Sequence, residues 1–558
     1  MRLFWGCAAL WLAGCTTTVT VFEFDTGSAD TGVPDTDDTD DTDTDDTDTD
    51  DTGDTSPPSP CEAMGFTEIP WNEGPYDDAL RTVVDDFTVE TTEGPWTWSE
   101  NFLGCESLIF INYAAGYTYP DQLFAGPIWE LLDATPPNVH YFFTSYDMYD
   151  DPAILTLRDD FEAEMALRSD EEQEHWRQRF HFVTEMAWYI DGWIGSYLSS
   201  RGVFHHGVDR YQNLREVGYL GDPNTWDWGG KLDFAASEAH YFNYEVNRDA
   251  AVDQTALVLD AFDNETLSDP GWVGESGYAD VAFPSAAEMA GYDTLEVDIS
   301  LYCPGHEDFN CPDWDYLVNL YVCDDDDQEA CGTEIGRFIT PYLRESRWIT
   351  DISPMLAHFA DGGQHRVRFY TQQSYDVTIQ FRLSNQGKGT TPKEATYLYS
   401  GASFNETYND NFAPMDVYVP ADAAKVEIAA LITGHGFGDD VANCAEFCNH
   451  QHVFSINGVE FMKEHPEAGS AEGCLEQVID GTVPNQYGTW PYGRGGWCPG
   501  LDVMWWTVDI TEHVVLGANN TIDYYGLMNG VVYEPEWLAD GTDFPGSISM
   551  TSWMVTSR

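Results

Sequence analysis

Two carboxylates in this sequence lie beside or between closely spaced cysteines. Asp315 ends the segment CPDWD of residues 311–315, and Glu446 lies between Cys444 and Cys448. A disulfide that spans so few residues would stiffen the backbone around the carboxylate. A positioned carboxylate can activate water as a general base, and nearby donors can stabilise the oxyanion of an amide under attack. Asp315 and Glu446 are therefore candidates for amide hydrolysis without a metal or a thiol.

A pair of histidines offers a different chemistry. His450 and His452 alternate on either side of one residue, and their imidazoles could bind Cu(II), with His435 and Met504 as further ligands. The alternative is a pair of ordinary histidines on an edge strand, and the preceding domain shows no comparable second copper site. We therefore expect no cofactor.

The charge balance excludes several classes of partner. The 558 residues include 98 acidic and 23 basic side chains, which give a formal net charge of −75. Such a chain repels phosphate groups, so electrostatic binding to nucleic acid or anionic lipid is excluded.

At about 150 residues per domain, the length predicts about three domains. We expect a monomer.

The first 60 residues have the features of an export signal and a linker. Arg2 precedes a short apolar run, and LAGC at residues 12–15 resembles a bacterial lipobox. The resemblance implies a signal peptide over 1–15, a lipid on Cys15 as the only membrane contact, and attachment to the cell envelope; an ordinary secretory signal is the alternative. Repeated Asp-Thr pairs predict a disordered linker over 16–60, with calcium binding as the alternative.

The cysteines indicate an oxidising compartment. Of the 12 cysteines, Cys7 lies in the predicted signal and Cys15 would carry the lipid, which leaves an even number. Four pairs lie close in sequence and two cysteines remain for each other. We predict the disulfides Cys61–Cys105, Cys303–Cys311, Cys323–Cys331, Cys444–Cys448 and Cys474–Cys498. Zinc is the alternative, but the tight spacing of Cys444 and Cys448 has no second such pair.

Residues 61–234 have the pattern of an α/β domain. Apolar runs over 107–114 and 139–144 predict buried strands, with a helix over 122–132 between them. Strand, helix and strand with short connections predict a parallel sheet. A long helical stretch is expected over 171–200.

The start of this domain resembles that of thioredoxin-like domains over residues 86–104. In that family a Cys-x-x-Cys pair follows the first long strand and supplies the reactive thiolate. Here the corresponding residues 115–120 read AGYTYP, without cysteine. We therefore expect an accessory domain without redox activity.

From residue 235 onward, short alternating segments are separated by Gly, Pro and Asn. Residues 295–301, for example, alternate apolar and polar side chains as a half-buried strand does. Many short strands and few helical segments predict all-β antiparallel sandwiches. We predict two of them, over 235–390 and 391–558.

Several blocks of this region resemble the peptide-N-glycosidase F family. The first comprises CPDWD at 311–315 and EIGRFITPY at 334–342, the second CAEFC at 444–448, and the third GTW at 488–490 with RGGWCPG at 494–500. The resemblance implies two eight-stranded jelly rolls side by side, with the active site at their interface. It also implies cleavage of the amide between Asn and the first N-acetylglucosamine of N-linked glycoproteins or glycopeptides.

The resemblance further implies roles for single residues. Asp315 matches the family's principal catalytic Asp, which we interpret as the general base, and Glu446 matches a Glu near the scissile amide. Arg494 matches an Arg that orients a sugar or carbonyl oxygen. The substrate-binding candidates are Trp314, Gln372, Phe447, Arg494 and Trp497.

The chain also departs from the family pattern. Gln372 stands where the family has a functional Glu, and an amide cannot take a proton or carry charge. Ser374 and Phe447 each replace a Trp, and Tyr316 replaces a substrate-binding Arg. One alternative to a hydrolase is therefore a catalytically weakened glycan-binding protein. The other is a copper type II monooxygenase-like protein, because the pair of jelly rolls is also similar to copper-dependent ascorbate monooxygenases and His450 and His452 could bind the metal.

We expect Cys15→Ser to release the protein from membranes, because the lipid on this thiol is the predicted anchor. Immunoblots of membrane and soluble fractions measure the change. Cys7→Ala, which alters a cysteine inside the signal, is the matched control and should stay with the membrane. A Cys15→Ser protein that remains in the membrane fraction contradicts the lipoprotein interpretation.

Overall fold

The computed structural model describes residues 58–201, 205–225, 228–267, 274–324, 330–539 and 541–558. The predicted signal peptide, Cys15 and nearly all of the predicted linker lie outside these residues. Among the described residues, no helix is both long and apolar enough to cross a membrane.

The amino-terminal domain is built on a mixed sheet with helices on its faces. In spatial order, the strands are Gly94–Thr97, Thr88–Thr91, Phe180–Met186, Val139–Ser145, Ser107–Tyr113, His206–Val208 and Leu214–Glu216. The α-helices of this part of the chain are Pro60–Ala63, Trp98–Asn101, Thr118–Phe124, Ile128–Ala134, Pro152–Met165, Asp170–Arg177, Trp193–Arg201 and Phe234–Ala251.

The centre of this sheet is parallel, as predicted. Ser107–Tyr113 pairs in parallel with Val139–Ser145, which in turn pairs in parallel with Phe180–Met186. Parallel strands are covered on both faces, which explains their nearly continuous apolar sequences. The expected helix over 122–132 is present as two short helices, because Gly126-Pro127 interrupts it.

The predicted helical stretch over 171–200 is wrong in its middle. A helix occupies Asp170–Arg177, where Ser169 and Glu172 form a capping box. The chain then enters the strand Phe180–Met186, whose first residues are buried in the sheet. Burial against the parallel neighbour outweighs local helix preference at these positions.

A helix, not a strand, follows the predicted domain boundary at residue 235. Phe234–Ala251 packs its apolar face into the core of the amino-terminal domain, where Phe234 and Phe242 are buried. The first strand of the sandwiches begins later, at Leu257. By its packing, the helix is therefore part of the amino-terminal domain.

Two antiparallel sandwiches follow, and each is composed of two four-stranded sheets within the described residues. The sheets of the first sandwich are Ser346–Asp351, Thr294–Tyr302, Tyr375–Ser384, Leu257–Leu267 and, facing it, Thr333–Ile339, Leu317–Val322, Gly362–Thr371, Glu275–Ser285. The sheets of the second are Pro392–Ser400, Ser547–Ser557, Lys425–His435, Trp506–Asp509 and Met415–Val419, Ala518–Met528, His450–Ile456, Val459–Lys463. A short helix, Ala286–Met289, lies in the first sandwich. The predicted pair of all-β sandwiches is confirmed.

The sandwiches share apolar contacts. Trp497, Trp505 and Trp553 of the second sandwich are buried in the same cluster as the core of the first. All five predicted disulfides are present. The apolar cluster that the two sandwiches share fixes their relative position.

A buried ion-pair network joins the amino-terminal domain to the first sandwich. Nη1 of Arg344 lies 2.9 Å from Oε2 of Glu238 on the long helix, and its Nε lies 3.2 Å from Oδ2 of Asp308. The same guanidinium donates to the backbone oxygen of Pro484 at 2.7 Å. The side chains of Arg344 and Glu238 are 7% and 0% exposed, so each charge depends on the other for stabilisation.

We expect Arg344→Met to lower the free energy of unfolding by about 3–5 kcal/mol, because it leaves Glu238 charged, buried and without its cation. Urea unfolding at neutral pH measures the change. Arg158→Met is the matched control: its pair with Asp159 is exposed, and the expected loss is about 1 kcal/mol or less. Equal effects of the two substitutions would show that the network does not stabilise the domain interface.

Candidate active site

A cleft of about 900 Å³ opens where the two sandwiches and the amino-terminal domain meet. Asp315 and Glu446 line it, together with the rings of Trp314, Phe447 and Trp497. The volume is at the upper end of the usual range for small-molecule sites, about 300–1,000 Å³. Trp314 is 51% exposed, so its indole ring is available to a ligand.

A single buried threonine holds the backbone on both sides of Asp315. Thr340 directly follows the strand Thr333–Ile339. Its hydroxyl donates to the backbone oxygen of Trp314 at 2.9 Å and accepts from the backbone N–H of Tyr316 at 2.8 Å. These bonds fix the direction in which the intervening side chain leaves the loop.

Glu446 is held by the disulfide loop and by backbone groups. It lies between Cys444 and Cys448, and its own N–H donates to the oxygen of Gly436 at 3.1 Å. The N–H of Gly436 donates in return to Oε2 of the carboxylate at 3.2 Å. The backbone oxygen of Glu446 accepts from the N–H of Gly495 at 2.6 Å.

Arg494 connects the two carboxylates. Its Nε lies 3.2 Å from Oε1 of Glu446, and its Nη2 lies 3.3 Å from Oδ2 of Asp315. Its Nη1 donates to the backbone oxygens of Thr489 and Tyr492 at 3.2 and 2.9 Å. The Arg494 side chain is 1% exposed. One cation therefore faces two acids, one from each sandwich.

Two aromatic rings lie next to the Arg494 guanidinium, and the residue that follows Arg494 has no room for a side chain. Its guanidinium carbon lies 5.2 Å from the ring centre of Phe447 and 4.8 Å from that of Trp497, within the range of cation–π attraction. A Cβ atom on Gly495 would lie 2.3 Å from Nε2 of His450. Glycine is therefore required directly after the arginine.

Burial raises the pKa of Asp315 and of Glu446 above their ordinary values. The Arg494 guanidinium opposes this shift for both groups, and the charge of Asp315 raises the pKa of Glu446 further. Tyr342 hydrogen-bonds Asp315, and burial raises the pKa of its hydroxyl, which remains a proton donor. Raised carboxyl pKa values are typical of groups that exchange protons during a reaction.

The residues that depart from the family pattern differ in their position relative to the cleft. Phe447 lines the cleft. Gln372 is half-buried directly after the strand Gly362–Thr371 and lies outside the lining of the cleft. Tyr316 is half-buried next to Asp315 and is also absent from the lining.

Sequence reasoning missed four residues at this site. Thr340 and Tyr342 lie within the matched block EIGRFITPY, and their position directly after a strand was the available signal. Asn224 and Trp228 line the cleft from the amino-terminal domain, and no pattern in the sequence indicated this.

The histidine pair lies in the second sandwich, and His465 joins it. The three side chains are buried and could together hold a metal ion. Nδ1 of His450, however, hydrogen-bonds Nε2 of His452 at 2.6 Å, and Nδ1 of His452 bonds the Tyr524 hydroxyl at 2.6 Å. Two nitrogens so close together are nearer than two ligands at about 2.0–2.1 Å from one tetrahedral ion.

This geometry favours a hydrogen-bonded chain of imidazoles over a metal centre. Burial lowers the pKa of His450 to about 3 and that of His452 well below its ordinary value, so the rings are neutral. Met504 is exposed and lines a separate cavity with Asp293. His435 packs its ring on Trp497 at the cleft.

Comparison with known proteins finds a family match in the second sandwich and a curated relative. Residues 403–555 match the family model described as peptide-N-glycosidase F, C terminal. The peptide-N(4)-(N-acetyl-beta-D-glucosaminyl)asparagine amidase F of Elizabethkingia miricola is 22% identical over 307 residues, which cover 50% of this chain and 79% of that protein.

Solved structures give matches of the same kind. Recombinant peptide:N-glycanase F is 20% identical, with a TM-score of 0.42, over 54% of this chain and 96% of that one. A PNGase F described as a glycosylasparaginase from Flavobacterium meningosepticum is 18% identical, with a TM-score of 0.41 and the same coverage.

We expect Asp315 and Glu446 to titrate above the ordinary carboxyl range, and Arg494→Met to raise both pKa values further, because the cation that favours the ionised forms is removed. NMR of protein with ¹³C-labelled carboxyl groups measures the titrations, and Asp315→Asn and Glu446→Gln assign the signals. Arg494→Lys keeps the charge and should raise them less. Unchanged pKa values in Arg494→Met are incompatible with the coupling described here.

Proposed function

We propose that the protein is an exported glycoamidase of the peptide-N-glycosidase F family, which the family match over residues 403–555 and the 22% identical amidase F support. Its substrates would be N-linked glycoproteins or glycopeptides, cleaved at the amide between Asn and the first N-acetylglucosamine. The observation that carries the proposal is the pair Asp315 and Glu446, joined by Arg494 in an aromatic-lined cleft.

Asp315 is the general base in this proposal. It accepts a proton from water while the water oxygen forms a bond to the amide carbon, which places negative charge on the former carbonyl oxygen. Collapse of this intermediate breaks the C–N bond, and the nitrogen leaves as a glycosylamine after it takes up a proton. The peptide keeps an Asp in place of the Asn.

Glu446 is assigned the second role, because it lies on the same guanidinium as Asp315 and lines the same cleft. The charge of Asp315 raises the pKa of Glu446, so the glutamic acid holds a proton more readily while the aspartate is ionised. A protonated carboxyl can donate a hydrogen bond to the amide oxygen or a proton to the leaving nitrogen. Arg494 favours the ionised form of Asp315 and so opposes the effect of burial, which raises the pKa of this carboxyl group.

The proposed location follows from the disulfides and the predicted signal. Five disulfides are typical of a protein that folds in an oxidising compartment. With a lipid on Cys15, the linker would tether the folded part to the cell envelope, where glycoproteins of the surroundings are accessible.

The second candidate is a glycan-binding protein with little turnover. Gln372 in place of the family's Glu removes an ionisable group. Phe447 has a smaller aromatic ring than the Trp that the family has at this position. The cleft would then bind sugar rings through its remaining aromatic side chains.

We expect Asp315→Asn to lower the rate of deglycosylation by about 10²–10⁴-fold, because the amide cannot accept the proton of water. Mass spectrometry of a glycopeptide, which detects conversion of Asn to Asp, measures the rate. Asp280→Asn is the matched control, since this carboxylate is exposed on a strand of the same sandwich.

Wild-type activity that is unaffected by Asp315→Asn would exclude this aspartate as the base. If all forms bind the glycopeptide and none converts Asn to Asp, the result would favour the glycan-binding protein over the enzyme.

A further inference from the structure

The amino-terminal domain contributes a wall to the cleft. Asn224 and Trp228 lie on one loop of that domain and line the same cavity as Asp315 and Glu446. Trp228 is 36% exposed. The accessory domain thus contributes a tryptophan and an asparagine to the lining of the cleft that holds the paired carboxylates.

Local bonds hold the described residues on both sides of this loop, 221–225 and 228–230. Gly221 and Gly230 form a bridge at its base, and the N–H of Asp222 donates to the oxygen of Gly229 at 3.0 Å. Trp228 itself has a φ of 55°, a left-handed conformation that a residue with a side chain adopts only where its surroundings enforce it. The Tyr219 hydroxyl donates to its backbone oxygen at 3.1 Å.

The loop is also fixed to the catalytic half of the molecule. Tyr219 stacks on Tyr487 with ring centres 4.7 Å apart, and its N–H donates to the oxygen of Asn485 at 2.7 Å. Trp490 is fully buried in the core of the amino-terminal domain, against Phe234. The chain segment before Trp228 is therefore attached to the part of the molecule that follows Asp315 in sequence.

Lys231, at the end of the loop, connects it to the opposite rim. Its ammonium group lies 3.7 Å from the carboxylate of Glu472. Ser470 and Ala471 beside this glutamate line the cleft. The wall is thus part of a continuous boundary that includes both the amino-terminal domain and the second sandwich.

The chemistry of this wall suits a neutral sugar ring. An exposed indole face packs on the C–H face of a pyranose, and a carboxamide can donate to and accept from its hydroxyl groups. The acidic surface of the chain disfavours anionic ligands. The cleft is large enough for more than the single sugar that adjoins the scissile amide.

We propose that Trp228 and Asn224 form a subsite for a pyranose ring of the oligosaccharide beyond the first N-acetylglucosamine. The proposal rests on the glycoamidase function above. It makes the amino-terminal domain part of the substrate site, with a specific role in the recognition of extended glycans.

The test compares two substrates of the full-length protein: one peptide with a single N-acetylglucosamine, and the same peptide with a high-mannose oligosaccharide. Trp228→Ala should raise KM for the long substrate about tenfold, the loss of one aromatic stacking contact. It should leave kcat and the short substrate unchanged. Trp228→Tyr keeps a ring and should restore most of the loss.

Two further variants keep the test decisive. Asn224→Ala should raise KM for the long substrate alone, and it tests the subsite without a change at the left-handed position. Trp129→Ala is the matched control, an exposed tryptophan on a helix of the same domain outside the cleft. Equal losses with both substrates, or no loss with the long one, would overturn the subsite.

A binding measurement separates this proposal from the proposed function. Calorimetric titration of the Asp315→Asn protein with the released high-mannose oligosaccharide should give a Kd that Trp228→Ala raises about tenfold. That result would support the subsite even if no form converted Asn to Asp. The same Kd with and without Trp228 would overturn the subsite, even in an active enzyme.

Discussion

The structure depends on one buried guanidinium. Arg494 lies between Asp315 of the first sandwich and Glu446 of the second and is almost inaccessible to solvent. Without a cation at this point, burial and the mutual repulsion of the two carboxylates would disfavour the ionised form of each more strongly. The geometry needs two acids near each other, and the arginine makes that arrangement stable.

The guanidinium can reach both acids only because the sandwiches are docked rigidly. Trp497 and Trp505 of the second sandwich are buried in the core of the first. Arg337 adds a polar connection: its guanidinium pairs with Glu334 at 2.7 Å on one side and donates to the Thr433 hydroxyl at 2.8 Å on the other. A site built across a domain interface thus requires the precision of a single core.

Local sequence predicts those parts of the fold that are determined locally. The alternation over 295–301 identifies the strand Thr294–Tyr302, and short spacings identify four of the disulfides. The strand Phe180–Met186 lies in a stretch that the local pattern predicts as helix, because its pairing partners Val139–Ser145 and Thr88–Thr91 lie far earlier in the chain and are not encoded in its own pattern. For the same reason, the local sequence does not reveal that Trp228 lines the cleft. Its place in the cleft follows from the stacking of Tyr219 on a distant segment, whereas Asp315 and Glu446 could be identified from motifs around them.

The distribution of the cations explains how so acidic a chain holds together. With 23 basic against 98 acidic side chains, most acids have no cationic partner, and their mutual repulsion opposes compaction. Several arginines are nevertheless buried at the junctions between domains: Arg344 at the amino-terminal domain, Arg337 between the sandwiches and Arg494 between the carboxylates. Dissolved ions screen buried pairs much less than exposed ones. Salt therefore weakens the repulsion on the surface while it leaves these junctions, and the cleft that they define, intact.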